Sequence, residues 1–308
     1  MIKTILSLSL ALTAFLFLNC GSAMAAEGKI SVSHKLGAIE VQPNPGRVVV
    51  MDFGFLDSID ALKLPVKLAV PKSNLPSYLS QYKDDQYVDI GGLKEFNLET
   101  IYAFKPDLII ISGRQQDYYE ELTQIAPTYF VEIDSRKYMD DFKRNMGVLG
   151  KLFNRDAEVK TLIDELEKRI AEIKEISAAQ NRRSLILLTN DGKISVYGSG
   201  SRFGIIHDIL GLPQADPSIK VGIHGQSVNY EYLSTINPDQ IFVVDRSIAV
   251  GSRADGVKLL DNELVNQTEA AKNGRIFELD PNTWYLSGGG LESVPMMVEE
   301  IHRAVSGQ

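Results

Sequence analysis

The sequence is poor in cysteine and histidine, and each scarcity argues against a class of function. Its 308 residues include one cysteine, Cys20, and four histidines. The chain after Cys20 therefore forms no disulfide and offers no thiol for catalysis. Four scattered histidines also argue against a His-rich zinc or manganese receptor. A fold without cross-links has to be held by its own hydrophobic core.

Basic residues and catalytic signatures are scarce as well. Lys and Arg number 32 against 40 Asp and Glu, which gives a net charge of −8 and disfavours a broad nucleic-acid-binding surface. The sequence has no HExxH motif and no GxSxG nucleophile elbow, and the glycines of 198–204 miss the dinucleotide-binding GxGxxG spacing by one position. These absences favour a binding protein over an exported α/β enzyme.

One long apolar run stands near the N-terminus. Lys3 precedes an apolar stretch from Ile5 to Leu18, and Ala23–Ala25 forms an A-x-A cleavage site, so we predict a signal peptide over residues 1–25. The stretch is too short for a comfortable membrane span of about 20 residues. The alternative is a lipoprotein anchored through Cys20. A cleaved signal peptide predicts export to the periplasm.

The rest of the chain alternates β-rich runs with helical stretches, which is typical of an α/β fold. In the first half, strands are predicted at 47–53, 66–70, 108–112 and 128–133. In the second half, strands are predicted at 184–190, 193–198, 240–245 and 275–280. The continuous apolar run Leu108–Ile111 indicates a parallel strand buried on both faces.

The strongest helical pattern lies between the two halves. Apolar residues from Val159 to Ile173 recur at three- and four-residue spacing, which predicts an amphipathic helix from Asp156 to about Ser177. Such a helix is about 33 Å long and can link two lobes. The predicted domains are an N-terminal lobe over 26–153, a linking helix over 154–178 and a C-terminal lobe over 179–308.

The two halves contain the same motif. Segments 97–114 and 229–246 align without a gap at a constant offset of 132, and six of their eighteen positions are identical, whereas unrelated segments would share about one. Each copy is predicted to be a helix that begins after a capping Asn and ends before a Pro. A buried strand follows, and each strand leads to an Arg. The chain is therefore predicted to contain two similar α/β lobes.

These features together resemble a known family. A signal peptide, Asn-x-Glu…Pro-Asp in both halves and one bridging helix are similar to the helix-linked (class III) periplasmic binding proteins, which feed ABC importers of iron-siderophores, haem and cobalamin. The run from Arg47 to Asp57 is similar to the ferric-catecholate branch, which includes enterobactin- and petrobactin-type receptors. The resemblance implies a monomer with a ligand cleft between two lobes, no catalytic activity and no permanent cofactor.

The resemblance also implies that three arginines hold a ferric catecholate siderophore, and they match Arg114, Arg202 and Arg246. Arg114 and Arg246 follow the repeated strands, at the sheet edge where open α/β folds bind ligands. Arg202 follows a Gly/Ser turn after another predicted strand. A ferric tris-catecholate carries three negative charges on aromatic rings, and guanidinium groups suit both the charge and the rings.

His224 and Tyr285 match the iron ligands that the resemblance implies. Fe(III) favours anionic oxygen such as a phenolate, and imidazole is a common partner for iron. Two protein donors and four catecholate oxygens make six. We therefore expect both residues to bind Fe(III) when the siderophore is tetradentate, and to stand aside when it is hexadentate.

Glu99 and Glu231 occupy the same place in the first turn of the two repeated helices. A carboxylate there interacts favourably with the helix dipole, by about 0.3–1 kcal/mol. The resemblance implies that these two acids also dock on the ABC importer's permease in the inner membrane. Both roles are compatible with one another.

Other ligands of the same fold remain alternatives. Haem could use Tyr285 or His224 as an axial ligand, but its two propionates do not require three arginines. Cobalamin carries little net charge, and ferric hydroxamates are less anionic than ferric catecholates. The sequence therefore favours a catecholate and leaves open which one.

Overall fold

The computed structural model describes residues 28–222, 224–251 and 258–307. The predicted signal peptide and Cys20 lie outside these ranges. Within them, no helix combines the length and the apolar character that crossing a bilayer requires.

The N-terminal lobe is built on a five-stranded parallel sheet. Its strands and the hairpin before them are β1 (Ile30–His34), β2 (Gly37–Val41), β3 (Arg47–Val50), β4 (Lys67–Val70), β5 (Val88–Asp89), β6 (Leu108–Ile111) and β7 (Thr128–Phe130). Its helices are α1 (Phe53–Ala61), α2 (Leu98–Phe104), α3 (Tyr119–Thr123) and α4 (Tyr138–Phe153). The sheet order is β5-β4-β3-β6-β7, and β1 pairs only with β2, antiparallel.

Helix α5 (Asp156–Gln180) leads to a second five-stranded sheet. The strands are β8 (Ser184–Asn190), β9 (Lys193–Tyr197), β10 (Gln226–Val228), β11 (Gln240–Asp245) and β12 (Ile276–Leu279). The helices are α6 (Ile205–Asp208), α7 (Tyr230–Ile236), α8 (Arg246–Ala249), α9 (Glu263–Asn266), α10 (Glu269–Lys272) and α11 (Ser293–Ser306). The order is β10-β9-β8-β11-β12, in which β9 runs antiparallel to both of its neighbours.

Short helical turns complete the chain. The 3-10 turns are Ser77–Lys83, Gly113–Tyr118, Ser135–Lys137 and Lys258–Leu260, and a π-helical turn spans Asn282–Leu286.

The two-lobe α/β fold is confirmed, and a strand lies within each of the eight predicted runs. The prediction was wrong at the end of the first run, because the strand stops at Val50 and α1 begins at Phe53. The Asp52 side chain accepts a hydrogen bond of 2.9 Å from the Phe55 N–H and so caps that helix. The hairpin β1–β2 and the short strands β5 and β10 were not predicted.

The repeat is visible in the structure at the same offset of 132 residues, since α2 and α7 begin at residues 98 and 230. Asn97 and Asn229 cap these helices through side-chain oxygens that accept from the N–H three residues later. Each helix ends at a residue with positive φ, Lys105 at 51° and Asn237 at 46°, directly before the Pro. Similar caps and stops thus produce the same helix-strand unit in both lobes.

A single apolar core extends through both lobes. It joins buried residues of β3 and β6 to buried residues of β8 and β11 through helices α4, α5 and α11. Helix α5 contributes Val159, Leu166, Ile170 and Ile173 to this core. Each sheet also has one smaller apolar cluster on the face that points away from this core. The lobes are therefore joined by continuous packing as well as by the chain.

A buried carboxylate provides a second connection between the lobes. Asp57 of α1 accepts hydrogen bonds of 3.2 Å from the backbone N–H groups of Glu292 and Ser293, at the start of α11. The Tyr78 hydroxyl donates to the same carboxylate at 3.0 Å. Because the first N–H groups of a helix lack partners within it, an acid of one lobe caps a helix of the other.

Glycines allow the two lobes to approach closely at this contact. A Cβ on Gly290 would lie 1.8 Å from Asp57 Oδ1 and 2.0 Å from the Gly54 carbonyl oxygen. Beside it, the carbonyl of Gly288 accepts a hydrogen bond of 2.9 Å from the Tyr138 hydroxyl. The loop before α11 therefore packs on α1 with no room for a side chain.

Burial raises the pKa of Asp57 to about 7, and the hydrogen bonds from α11 and Tyr78 offset only part of that shift. The folded protein then holds this proton more tightly than the unfolded chain, in which the pKa is near 3.9. The free energy of unfolding should therefore be highest below pH 4 on account of this group, and fall by roughly 2–4 kcal/mol as the pH rises to 7.

Denaturant titrations of the wild-type protein and Asp57→Asn between pH 4 and pH 8 measure this effect. As the pH rises from 4 to 7, we expect the free energy of unfolding of the wild-type protein to fall relative to that of Asp57→Asn. Above pH 7 the difference between the two proteins should level off. The exposed Asp117→Asn is the matched control, with a pH dependence like that of wild type. Parallel curves for wild type and Asp57→Asn would contradict the assignment.

Candidate functional site

Four predicted site residues meet in the cleft between the lobes. Arg114 lies in the 3-10 turn after β6, Arg246 begins α8 directly after β11, and Arg202 follows β9. Tyr285 lies in the π-helical turn that leads from β12 toward α11. The structure thus brings together three arginines from separate segments of both lobes around one tyrosine.

The backbone and the ring of Tyr285 both contact arginines. Its carbonyl oxygen accepts hydrogen bonds from Nη2 of Arg202 and, at 3.4 Å, from Nη2 of Arg114. Its hydroxyl accepts from Nε of Arg246 at 2.8 Å. Arg202 also lies over the ring, with its Cζ 4.1 Å from the ring centroid. Tyr285 therefore holds the three guanidinium groups in place before any ligand enters.

The clustered charges change the acidity of Tyr285. Burial alone raises the pKa of the phenol, but the hydrogen bond from Arg246 and the charges of Arg202, Arg246 and Arg114 outweigh it and lower the pKa overall. A phenol that ionises readily is suited to bind Fe(III) through oxygen. Lost hydration and, to a lesser extent, repulsion from Arg114 lower the pKa of Arg202.

Two cavities of about 440 Å³ lie beside Tyr285. One is lined by Arg114, Arg246 and Tyr285 together with residues around Lys94, in the β5–α2 loop of the N-terminal lobe. The other is lined by Lys94, Asn190, Lys193, Tyr197, Arg202, His224, Arg246 and Tyr285. His224 is exposed and shares this second cavity with Tyr285. The two predicted iron donors therefore face the same space.

The sequence analysis did not predict two lysines and an asparagine that line this cleft. Lys94 lies in the loop between β5 and α2, and Lys193 follows the tight turn after β8. Asn190 ends β8 and accepts a hydrogen bond of 2.7 Å from Nη1 of Arg246. The signal was available for Asn190, because the carboxyl end of a predicted strand indicates the ligand edge as it did for Arg246. Lys193 begins a strand and reaches the same edge because β9 runs antiparallel to β8. Lys94 has no such signal.

The two predicted docking acids lie apart from these cavities. Glu99 and Glu231 are exposed in the first turns of α2 and α7, and neither lines the cleft. Glu231 accepts a hydrogen bond of 2.9 Å from the Asn229 side chain.

Across the described ranges, no group of three or more His, Cys, Asp or Glu side chains could hold a metal ion.

The sequence of the chain matches a known protein family. A sequence model described as "Periplasmic binding protein" matches residues 48–283, which includes both sheets. The chain belongs to this family. This periplasmic binding protein is 44% identical over 276 residues to the petrobactin-binding protein YclQ of Bacillus subtilis (strain 168), with 89% of this chain and 87% of YclQ covered.

Further matches come from sequence and from solved structures. The ferric-anguibactin-binding protein FatB of Vibrio anguillarum is 31% identical over 281 residues, with 89% of this chain and 87% of FatB covered. The crystal structure of YclQ matches this periplasmic binding protein with a TM-score of 0.88 over 90% of this chain and 98% of YclQ. That of the catecholate-siderophore binding protein VctP from Vibrio cholerae matches with a TM-score of 0.83 at 31% identity, over 89% and 99%.

Proposed function

We propose that this periplasmic binding protein captures a ferric catecholate siderophore and delivers it to an ABC importer for iron uptake. The observation that carries the proposal is the convergence of Arg114, Arg202 and Arg246 on Tyr285 in the cleft. The similarity to the petrobactin-binding YclQ and the ferric-anguibactin-binding FatB supports a siderophore ligand, and the similarity to the catecholate-siderophore binding VctP supports a catecholate.

The charge and shape of the cleft support an anionic aromatic ligand. Three arginines and two lysines, Lys94 and Lys193, line the two cavities, which suits the three negative charges of a ferric tris-catecholate. Arg202 already lies over an aromatic ring, and the same geometry suits a catechol ring. The cavity volumes fall within the range of about 300–1,000 Å³ that is usual for small-molecule sites.

Other ligands of this fold fit the cleft less well. Cobalamin and ferric hydroxamates would leave much of the positive charge unpaired, and haem brings only two carboxylates. Among catecholates, the 44% identity to YclQ favours a petrobactin-type over an enterobactin-type ligand. The protein reaches its ligand by export, either through cleavage of the leader at residues 1–25 or as a lipoprotein anchored at Cys20. It acts as a monomer in this scheme.

Binding of a panel of complexes tests the substrate class. Trp284 is buried next to Tyr285, so quenching of its fluorescence reports on ligand in the cleft. We expect ferric petrobactin, ferric enterobactin and ferric azotochelin to bind at least tenfold more tightly than ferrichrome, haem or cobalamin. Arg246→Gln should weaken the catecholates by more than tenfold.

The exposed Arg303→Gln on α11 is the matched control for the loss of one positive charge and should leave these affinities unchanged. Preference for ferrichrome, haem or cobalamin would refute the catecholate proposal.

The roles of His224 and Tyr285 depend on how many positions the siderophore leaves free on iron. His224→Ala combined with Tyr285→Phe should weaken binding of a tetradentate bis-catecholate complex by well over tenfold, because two iron positions lose protein donors held ready in the cavity. A hexadentate complex fills all six positions and should lose much less. Fluorescence titration with ferric azotochelin and ferric enterobactin measures both.

Tyr102→Phe, an exposed tyrosine on α2, is the control for removal of a phenol hydroxyl. Equal losses for the tetradentate and hexadentate complexes would mean that His224 and Tyr285 shape the cavity without binding iron.

Docking on the importer is assigned to Glu99 and Glu231. Glu99→Ala combined with Glu231→Ala should leave the dissociation constant of the siderophore within about twofold and abolish iron uptake by cells, because neither acid lines the cleft. Glu165→Ala combined with Glu175→Ala removes two exposed acids from α5 and is the control for net charge. A loss of siderophore affinity in the Glu99/Glu231 variant would place these acids in the site instead.

A further inference from the structure

Arg246 is held from two sides. Its Nε donates to the Tyr285 hydroxyl at 2.8 Å, and its Nη1 donates to Oδ1 of Asn190 at 2.7 Å. An arginine side chain has five N–H donors, so these two contacts leave three for a ligand. Among the described residues, removal of the Asn190 contact would leave the hydrogen bond to the Tyr285 phenol to orient the guanidinium group.

Asn190 is itself in a rigid position. It is the last residue of β8 and pairs with Lys193, the first residue of β9. The two residues between them, Asp191 and Gly192, have φ of 48° and 76°, as the two-residue type I′ turn of a tight hairpin requires. The antiparallel pairing and the turn together leave the Asn190 backbone little freedom.

The same turn also fixes the backbone next to Arg246. The Asp191 N–H donates to the hydroxyl of Ser247 at 3.2 Å, and the Ser247 N–H donates to Asp245 Oδ1 at 2.8 Å. The start of α8 is therefore tied to the β8–β9 turn through the Ser247 hydroxyl, and the Arg246 side chain is tied to the same hairpin through Asn190. The β8–β9 hairpin therefore contacts both the guanidinium group of Arg246 and the residue next to it in the chain, Ser247.

We propose that Asn190 is a positioning residue that holds the Arg246 guanidinium in the orientation that binds the siderophore. This inference rests on the proposed function for its ligand, and on the hairpin geometry for its mechanism. Arg246 has many rotamers, and ordering it at the moment of binding would cost free energy. Asn190 supplies that order in the ligand-free protein.

A first experiment tests the contact without any ligand. Phenylglyoxal modifies accessible arginines, and mass spectrometry of peptides gives the rate at each one. In Asn190→Ala, we expect Arg246 to react roughly three- to tenfold faster, as for the net loss of one typical hydrogen bond, with no change at Arg114. Asn190→Asp keeps an acceptor oxygen and should keep the rate near that of wild type.

The exposed Asp191→Asn lies in the same turn and is the matched control, with a wild-type rate at Arg246. An unchanged rate at Arg246 in Asn190→Ala would overturn the positioning role.

A second experiment is a double-mutant cycle with ferric enterobactin and ferric azotochelin. Asn190→Ala should weaken both complexes by roughly five- to tenfold, and by less than twofold when Arg246 is already replaced by Ala, because Asn190 acts through that side chain. Equal losses in both backgrounds would overturn the proposal. If the wild-type protein binds none of the siderophores, the proposed function fails, and the phenylglyoxal rates still decide the role of Asn190.

Discussion

The segment from Pro281 to Ser293 has to satisfy two contacts at once, and the geometry of the cleft depends on both. At one end, Tyr285 receives hydrogen bonds from three arginines of the two lobes. At the other end, the first N–H groups of α11 meet the buried carboxylate of Asp57. Because only a few residues separate the two contacts, the position of one lobe on the other determines where the tyrosine stands.

The close packing of the two lobes at this segment stabilises the fold, whereas the positive charge collected in the cleft opposes it. Packing of Gly290 on α1 and the continuous apolar core hold the lobes together. The charges of the three arginines lower the pKa of the Tyr285 phenol, and repulsion from Arg114 contributes to the lowered pKa of Arg202. The anionic ligand proposed above would relieve that repulsion when it binds.

Much of the fold could be predicted from local patterns, because they repeat. The Asn caps, the Pro stops and the apolar strands occur twice at an offset of 132 residues, and both copies fold alike. Strand-end logic and a family resemblance also named the residues that meet at Tyr285. Lys94 was not predicted, because it lies in an irregular loop and no local pattern marks it as a ligand residue. The packing of the two lobes brings this loop to the cleft.

The sequence by itself determined the elements, since helix caps, turns and buried strands depend on residues close together in the chain. The tight turn after Asn190 and the start of α1 after Asp52 are of this kind. Only the tertiary structure decided which distant groups pair. Asp57 caps a helix more than 200 residues away, and Asn190 orients Arg246, because the continuous core and the sheet order bring these segments together. Local propensity carries no information about such pairings.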